Sequence, residues 1–117
     1  MDGTIEINGL RIFARHGVME QERAVGNMFE VTVHLRYPMD AALCHDSLDG
    51  TLNYAEGVAL IKEEMDKPSA LLEHVVYRIK KSFETHYPLI KGGSIRLAKL
   101  TPPISCELDS VAVKIEW

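Results

Sequence analysis

The stretch MFEVTVHLRY, residues 28–37, predicts a β-strand with two different faces. Every second residue is apolar, and the polar residues between them point the other way, because successive side chains of a strand alternate between faces. The apolar positions are Phe29, Val31, Val33, Leu35 and Tyr37, and the polar ones are Glu30, Thr32, His34 and Arg36. A strand that is buried on one face only is typical of an antiparallel sheet covered on one side.

Three further strands are predicted on either side of this one, over residues 4–16, 94–100 and 109–117. In the first, the alternation of apolar residues changes phase across Gly9, which predicts a β-bulge or a bend there. The segment 16–27 between the first two strands is too long for a tight hairpin. Because long loops within small domains are often functional, we expect this one to contribute to a site. A short helical turn is expected around residues 41–44.

Two helices are predicted between the second and third strands. The first spans residues 54–67, and the second runs from Ser69, as its N-cap, to about Tyr87. Apolar residues of the second helix recur at helical spacing and predict a stripe that faces the core. They are Leu72, Val75, Val76, Ile79 and Phe83. The same spacing leaves Arg78, Lys81 and Glu84 toward water.

The order of these elements predicts an α+β fold. In the ββααββ arrangement, two helices cover one face of an antiparallel four-stranded sheet, within a single domain over residues 1–117. The uncovered face would be polar, and a four-stranded sheet leaves two open edges. Pairing of these edges between copies of the chain would make a ring. Association would also add stability to a domain whose own core is small.

The composition excludes several classes of function. Lys and Arg total 13 against 17 Asp and Glu, and no basic run occurs, so nucleic-acid binding is not expected. No secretion signal and no apolar stretch of membrane-spanning length is present, so we expect a cytoplasmic protein without a membrane partner. Cys44 and Cys106 lack metal-ligand spacing, and the five histidines form no close set. Neither a metal nor another cofactor is therefore expected.

Lys99 is conspicuous because it continues the buried phase of Ile95 and Leu97 in the stretch IRLAKLTPPI, residues 95–104. A buried ammonium is costly unless it is paired, so Lys99 implies a carboxylate partner, a cleft, or both. The alternative is a lysine that extends to solvent at the end of its strand. Pro102 and Pro103 predict a stiff exit loop that keeps Lys99 aimed, or a simple strand terminator.

Three other residues have both a functional and a structural interpretation. Glu73 lies beside the apolar stripe of the second helix, where it is either a ligand-binding carboxylate or one at the boundary of the core. Tyr54 opens the first helix, a position where tyrosine more often packs than reacts. Glu22 lies in the segment 16–27 next to Glu20, where a carboxylate is usually solvated.

Five stretches of the chain together resemble the dihydroneopterin aldolase family of folate biosynthesis. They are GLRIFARHGV (9–18), QERAVGNMFEV (21–31), DGTLNYAEG (49–57), SALLEHVVYRI (69–79) and IRLAKLTPPI (95–104). The resemblance covers essentially the whole chain and implies the family's tunnelling fold, which has the same ββααββ order. It further implies a homo-oligomer in which four subunits close a barrel and two such rings usually stack into an octamer.

Position by position, the resemblance implies a role for each candidate residue. Lys99 corresponds to the family's acid-base lysine, Tyr54 to its tyrosine proton donor and Glu22 to a further active-site glutamate. Glu73 corresponds to the carboxylate that anchors the pterin substrate. Further ring contacts would come from Leu52, Asn53, Tyr54 and Leu72. The family places the tyrosine in the neighbouring subunit, so the resemblance implies a site that exists only between subunits.

The chain departs from the family pattern at two places. Asn53 stands where many relatives carry histidine or aspartate, and Ser105-Cys106 stands where many carry Pro-Gly. The first departure bears on a ring contact of the substrate, and the second bears on the shape of the loop before the last strand. Neither departure involves Lys99, Tyr54 or Glu22.

The reaction that the resemblance implies is retro-aldol cleavage of dihydroneopterin to hydroxymethyl-dihydropterin and glycolaldehyde, with epimerisation of the side chain as a side activity. Since protonated dihydropterin contains its own imine-like electron sink, neither a Schiff base nor a metal is needed. Two alternatives stay open at this point: dihydroneopterin triphosphate epimerase, and a pterin-binding ring protein without turnover. His16-Gly17 and the two prolines favour the aldolase over the first, and the joint presence of all four candidate residues argues against the second.

Overall fold

The computed structural model describes residues 1–117 and contains four strands and four α-helices. In chain order they are β1 (Asp2–Ala14), α1 (Glu20–Val25), β2 (Asn27–Pro38), α2 (Asp40–His45), α3 (Tyr54–Met65), α4 (Leu72–His86), β3 (Gly92–Lys99) and β4 (Val111–Glu116). A single 3₁₀ turn, Leu48–Gly50, lies between α2 and α3. The predicted ββααββ order of the long elements is confirmed, as is the short helix near residues 41–44.

The four strands form one antiparallel sheet in the order β1-β2-β3-β4. The register between β1 and β2 slips between Ile7 and Leu10, which confirms the predicted irregularity at Gly9. Gly9 has φ +65°, a left-handed conformation that glycine adopts without strain, and its N–H donates to the Thr32 hydroxyl at 3.1 Å. The slip keeps apolar residues of β1 on the covered face both before and after the bulge.

The core lies between this covered face and two helices. α3 packs on β1, and α4 packs on β3 and β4. The inward residues of β2 and the predicted stripe of α4 are buried together in one cluster, so both patterns are confirmed. The residues with no measurable exposure include Phe29, Val31, Leu35, Val75, Val76, Ile79, Phe83, Ile95 and Leu97. The outer edges of β1 and β4 are unpaired within the chain.

Three details of the sequence prediction are wrong. The segment 16–27 is not a continuous loop, because its second half forms α1. Ser69 is not an N-cap: α4 begins at Leu72 after Leu71, which has no side-chain cap, since the backbone of Ser69 pairs with the loop at His16 instead. Arg78 does not point to water. Its guanidinium folds onto the end of α3, with only 16% of the side chain exposed.

No helix of the structure is long and apolar enough to cross a membrane.

Candidate active site

Lys99 and Glu22 are in contact at one end of the sheet. The Lys99 Nζ donates to the Glu22 Oε2 at 2.5 Å, and the two side chains are only 12% and 14% exposed. The carboxylate partner expected for Lys99 is therefore present, 77 residues away along the chain. The hydrogen bond from Lys99 is the main reason that the pKa of Glu22 lies below its ordinary value, although partial burial opposes it.

Glu22 reaches Lys99 because α1 folds tightly against the residues that precede it. Arg23 donates to the backbone carbonyls of Gly17 at 2.6 Å and Val18 at 2.9 Å, which ties the helix to its own entry segment. The Glu22 side chain then lies directly over Gly17, where a Cβ atom would come within 2.4 Å of the Glu22 Cδ. Only glycine leaves room for the carboxylate at this position.

His16 joins this segment to the start of α4. The ring is 1% exposed, and its Nδ1 accepts the Ser69 backbone N–H at 3.2 Å, while the Gly17 N–H donates to the Ser69 carbonyl at 2.9 Å. Burial, with a smaller contribution from the charge of Arg78, lowers the pKa of His16 to about 4. The imidazole is therefore neutral near pH 7, which leaves Nδ1 free to accept a hydrogen bond.

The exit loop after Lys99 is tied back to the start of β2. Asn27 donates to the Thr101 carbonyl at 2.7 Å, and the Thr101 hydroxyl donates to the Asn27 amide oxygen. These two residues were not among the sequence candidates, because a contact between a strand start and a distant loop has no periodic signal. Pro102 and Pro103 follow directly, so hydrogen bonds and fixed φ angles together restrain the segment that leaves Lys99.

The start of α4 lies at the same end of the sheet as Lys99. Ser69 pairs with His16, and the His16 ring packs edge-on against Phe29 at 5.3 Å, the residue that pairs with Lys99 in the β2–β3 register. Glu73 occupies the first turn of α4, is exposed, and forms no ion pair or side-chain hydrogen bond, whereas the neighbouring Leu72 is buried. Glu73 therefore offers a free carboxylate at the same end of the sheet as the Lys99–Glu22 pair.

Tyr54 and its neighbours lie at the other end of the molecule. Asn53 is the N-cap of α3, with its Oδ1 accepting the Ala55 N–H at 3.0 Å, and Leu52 is buried. The Tyr54 side chain is 70% exposed and has no polar partner.

The course of α3 keeps Tyr54 away from Lys99 of the same chain. Gly57, one turn after Tyr54, packs near Ile7, which lies level with Ile95 through the sheet register. Ile95 precedes Lys99 by four residues, or about 13 Å along a strand. The end of α3 is bound by Arg78 near His16, so the helix runs toward the Lys99 end and its first residue points away.

The arrangement around Lys99 suits proton transfer. An ammonium and a carboxylate, both largely shielded from water, share a short hydrogen bond beside an open cleft of about 210 Å³. Glu22 lines this cleft together with Met19, Gln21, Val25, Asn27, Thr101 and Pro103. No three His, Cys, Asp or Glu side chains are grouped so as to hold a metal ion.

Comparison with known proteins gives a consistent result along the whole chain. The model of the FolB dihydroneopterin aldolase family matches residues 5–116. A dihydroneopterin aldolase from Staphylococcus epidermidis is 33% identical over 116 residues, which cover 98% of this chain and 96% of that protein. A dihydroneopterin aldolase from Methylorubrum extorquens is 28% identical over 98% of this chain and 89% of its own length.

Solved structures share the same fold. Escherichia coli dihydroneopterin aldolase in complex with neopterin superimposes with a TM-score of 0.88 at 19% identity, over 98% of both chains. A dihydroneopterin aldolase from a Burkholderia species bound to guanine superimposes with a TM-score of 0.79 at 15% identity, over 99% of this chain and 90% of that one. The predicted α+β fold, with a four-stranded antiparallel sheet, is confirmed.

Proposed function

The chain belongs to the dihydroneopterin aldolase family, whose members are lyases, and from this premise we propose that it cleaves dihydroneopterin to hydroxymethyl-dihydropterin and glycolaldehyde. The observation that carries the proposal is the contact between Lys99 and Glu22 in a shielded position beside a cleft. A charged pair of this kind can pass a proton to and from a bound substrate, which is what the cleavage of a carbon-carbon bond by acid-base chemistry requires.

In the proposed reaction, a base removes the proton from the side-chain hydroxyl next to the bond that breaks. The oxygen becomes the carbonyl of glycolaldehyde, and the electrons of the broken bond pass into the imine-like group of the protonated dihydropterin ring. The carbon that remains on the pterin then takes up a proton. Because the ring itself accepts the electrons, no Schiff base and no Lewis-acid metal is called for.

Lys99 is the proposed acid and base, acting directly or through a water molecule. Glu22 orients the amine, since its carboxylate accepts a hydrogen bond from Nζ and is itself held against Gly17. The low exposure of both side chains strengthens their interaction relative to one in bulk water. Tyr54 is proposed to deliver the proton to the pterin carbon.

Glu73 is the proposed anchor for the pterin ring. Its carboxylate is exposed and without a partner at the start of α4. It can therefore accept two parallel hydrogen bonds from the N–H groups of an amino-pyrimidinone edge. Neopterin and guanine, which are bound in the two solved relatives, both carry this edge. Backbone groups at Leu72, and at Leu52 and Asn53 of a neighbouring copy, are proposed to complete the ring contacts.

Tyr54 is proposed to act from a neighbouring copy of the chain. It is 70% exposed and lies more than about 13 Å along the sheet from Lys99 of its own chain, which is too far for proton delivery. The free edges of β1 and β4 are available for pairing between copies. We therefore propose active sites between subunits, in the ring of four, stacked in pairs into an octamer, that the family resemblance implies.

The proposal is tested by incubating the purified protein with dihydroneopterin and separating the products. We expect glycolaldehyde and hydroxymethyl-dihydropterin in equal amounts, with a minor fraction of the side-chain epimer. The epimer forms when glycolaldehyde is recaptured on its opposite face before release. Formation of the epimer alone, with no glycolaldehyde, would replace the aldolase assignment with an epimerase, and no conversion of the pterin at all would remove both.

A further inference from the structure

Arg78 on α4 is more covered than is usual for an arginine on a helix surface, with 16% of its side chain exposed. Its Nη1 donates to the Glu64 carbonyl at 2.7 Å, and its Nη2 donates to the Lys67 carbonyl and to the Ser69 hydroxyl, both at 2.8 Å. Glu64, whose side chain is 10% exposed, lies 3.4 Å from the same guanidinium. Arg78 thus binds one backbone carbonyl in the last turn of α3 and one just beyond it, and so holds the connection from α3 to α4.

The connection held by Arg78 pairs with the segment that lies against the Glu22 side chain. Ser69 donates its N–H to His16 and accepts the N–H of Gly17, so the two segments form a short parallel bridge. A displacement of Ser69 would break both hydrogen bonds at once. The bridge is possible because His16 is neutral: a protonated ring would present an N–H to the N–H of Ser69.

From this bridge, contacts reach both members of the pair. Gly17 lies against the Glu22 side chain so closely that a Cβ would sit 2.6 Å from the Glu22 Oε2. The His16 ring packs on Phe29, which pairs with Lys99 across the sheet. The positions of the Glu22 carboxylate and the Lys99 amine therefore both depend on contacts made by His16 and its neighbour. The position of His16 depends in turn on Arg78, through Ser69.

We propose that Arg78 is a positioning residue for the Lys99–Glu22 pair, which it holds through Ser69 and His16. This inference rests on the proposed function, because the pair is the proposed acid-base group. Arg78 itself does not touch the pair, and no substrate contact is assigned to it. It acts by keeping the Glu22 carboxylate within hydrogen-bonding distance of Lys99 during turnover.

The test is the double variant Arg78→Met with Glu64→Gln, which removes the guanidinium together with the charge of the carboxylate that faces it. Lys67, which also pairs with Glu64 at 2.8 Å, is exposed and stays solvated in this variant. We expect kcat to fall by at least about tenfold while KM changes by less than about threefold, because the substrate anchor Glu73 is untouched. In this double variant, NMR should show the pKa of the Glu22 carboxyl moving up toward its ordinary value, since the hydrogen bond from Lys99 weakens.

Lys80→Met is the matched control, because Lys80 is a cation on the same helix that pairs with Glu84 and lies over Trp117, away from His16. We expect both kcat and the Glu22 titration to stay as in the parent protein. A milder variant, Arg78→Lys, keeps the charge but cannot make the same set of hydrogen bonds, so a loss of kcat between those of the two other variants is expected. If the double variant does not fold, Arg78→Lys tests the positioning role in its place.

An unchanged Glu22 titration in the Arg78 variants, whatever happens to kcat, would overturn the inference, and so would a shifted titration with full kcat. If the parent protein cleaves no dihydroneopterin but the Glu22 titration still depends on Arg78, the proposed function fails while the positioning of the pair stands.

Discussion

At the scale of single residues, the candidate site divides into groups that would act on the substrate and groups that hold them. Lys99 and Glu22 face each other across a 2.5 Å hydrogen bond, whereas Glu73 has no polar partner in the chain. A group with an internal partner is suited to proton transfer, and a free carboxylate is suited to binding. The two roles predict different kinetic effects.

Lys99→Ala is expected to lower the kcat of cleavage by more than about a thousandfold and to weaken pterin binding only modestly. Glu73→Gln is expected mainly to weaken binding, because the amide oxygen can accept a hydrogen bond from only one of the two N–H groups of the pterin edge. Steady-state kinetics together with a pterin-binding titration separate the two. Lys114→Ala, on the polar face of β4, is the control and should leave both quantities unchanged. Interchanged effects of the first two variants would refute the assigned roles.

Gly17→Ala is expected to lower kcat by about ten- to a hundredfold, the value of one hydrogen bond to a charged group. The new Cβ would lie within 2.6 Å of three Glu22 atoms, including the Glu22 Cβ, so the whole side chain must move away from Lys99. Gly3→Ala is the matched control. Its Cβ would meet only the flexible thioether of Met39, so activity should be retained. Full activity of Gly17→Ala would show that Glu22 is not held in the way described.

His16 predicts a dependence of stability on pH. Its pKa falls from 6.5 to about 4 on folding, so between these values the unfolded chain binds a proton that the folded chain does not. Stability is therefore complete above pH 6.5 and declines as the pH falls to about 4, by up to about 3 kcal/mol. The pKa of Glu22 is also lower in the folded protein than its ordinary value of 4.5, so this carboxyl lowers stability further only when the pH falls below 4.5.

Urea unfolding at a series of pH values measures this effect. His16→Asn, whose amide oxygen can still accept the Ser69 N–H, should unfold with little dependence on pH between 6.5 and 4.5. His45→Asn, at an exposed position, should keep the decline of the parent protein. An equal decline in the parent protein and in His16→Asn would assign the effect to other groups.

At the scale of elements, the bulge in β1 and the short helix α1 together deliver the loop that carries Glu22. The slip at Gly9 sets which face the second half of β1 presents, and the strand then ends at Ala14, just before His16. α1 has only six residues, and the side chain that caps its start is Glu22, which accepts the Met19 N–H at 3.3 Å, so local propensity alone would not maintain the helix. It is held by the hydrogen bonds of Arg23 and by the contact between Glu22 and Lys99.

Gly9→Ala is expected to destabilise the protein by about 1–2 kcal/mol, because a left-handed backbone conformation is strained for alanine. The space at this position is open, since the nearest atom to a new Cβ would be 4.0 Å away, so the cost comes from the backbone alone. Gly9→Asn should cost less, as asparagine adopts this conformation more readily. Chemical unfolding measures both, and equal stability of all three proteins would contradict a bulge at Gly9.

At the scale of the whole molecule, Tyr54 lies at the start of α3, more than about 13 Å along the sheet from Lys99 of the same chain. The exposure of Tyr54, the free strand edges and the free carboxylate of Glu73 are explained together if the site is built from two copies. A site shared between chains predicts complementation between inactive variants.

Tyr54→Phe and Lys99→Ala are each expected to be inactive in cleavage. If the two variants are unfolded together and refolded as a mixture, about a quarter of the sites should combine an intact Lys99 with an intact Tyr54 from the neighbouring chain. We therefore expect activity to return to about a quarter of the parent value, measured by glycolaldehyde release. Each variant refolded alone is the control, and a mixture that stays inactive would place the two residues in separate sites.

The order of the long elements, the bulge and the residues of the core all follow from the amino-acid pattern alone. The alternation in residues 28–37 and the stripe of α4 indicate which face of each element is buried. This can be seen from the spacing of apolar residues within the element itself. The same reasoning singled out Lys99, since an ammonium in a buried phase needs a partner. It did not identify Glu22 as that partner.

Which distant groups meet is seen only in the folded chain. The contacts of Lys99 with Glu22, of Ser69 with His16 and of Arg78 with the end of α3 join segments that are far apart or run in different directions. A single hydrogen bond between two such segments imposes no repeating pattern on either of them. For this reason Ser69 was predicted as a cap, Arg78 as a solvated charge and the residues of α1 as loop, although all three belong to the framework around the Lys99–Glu22 pair.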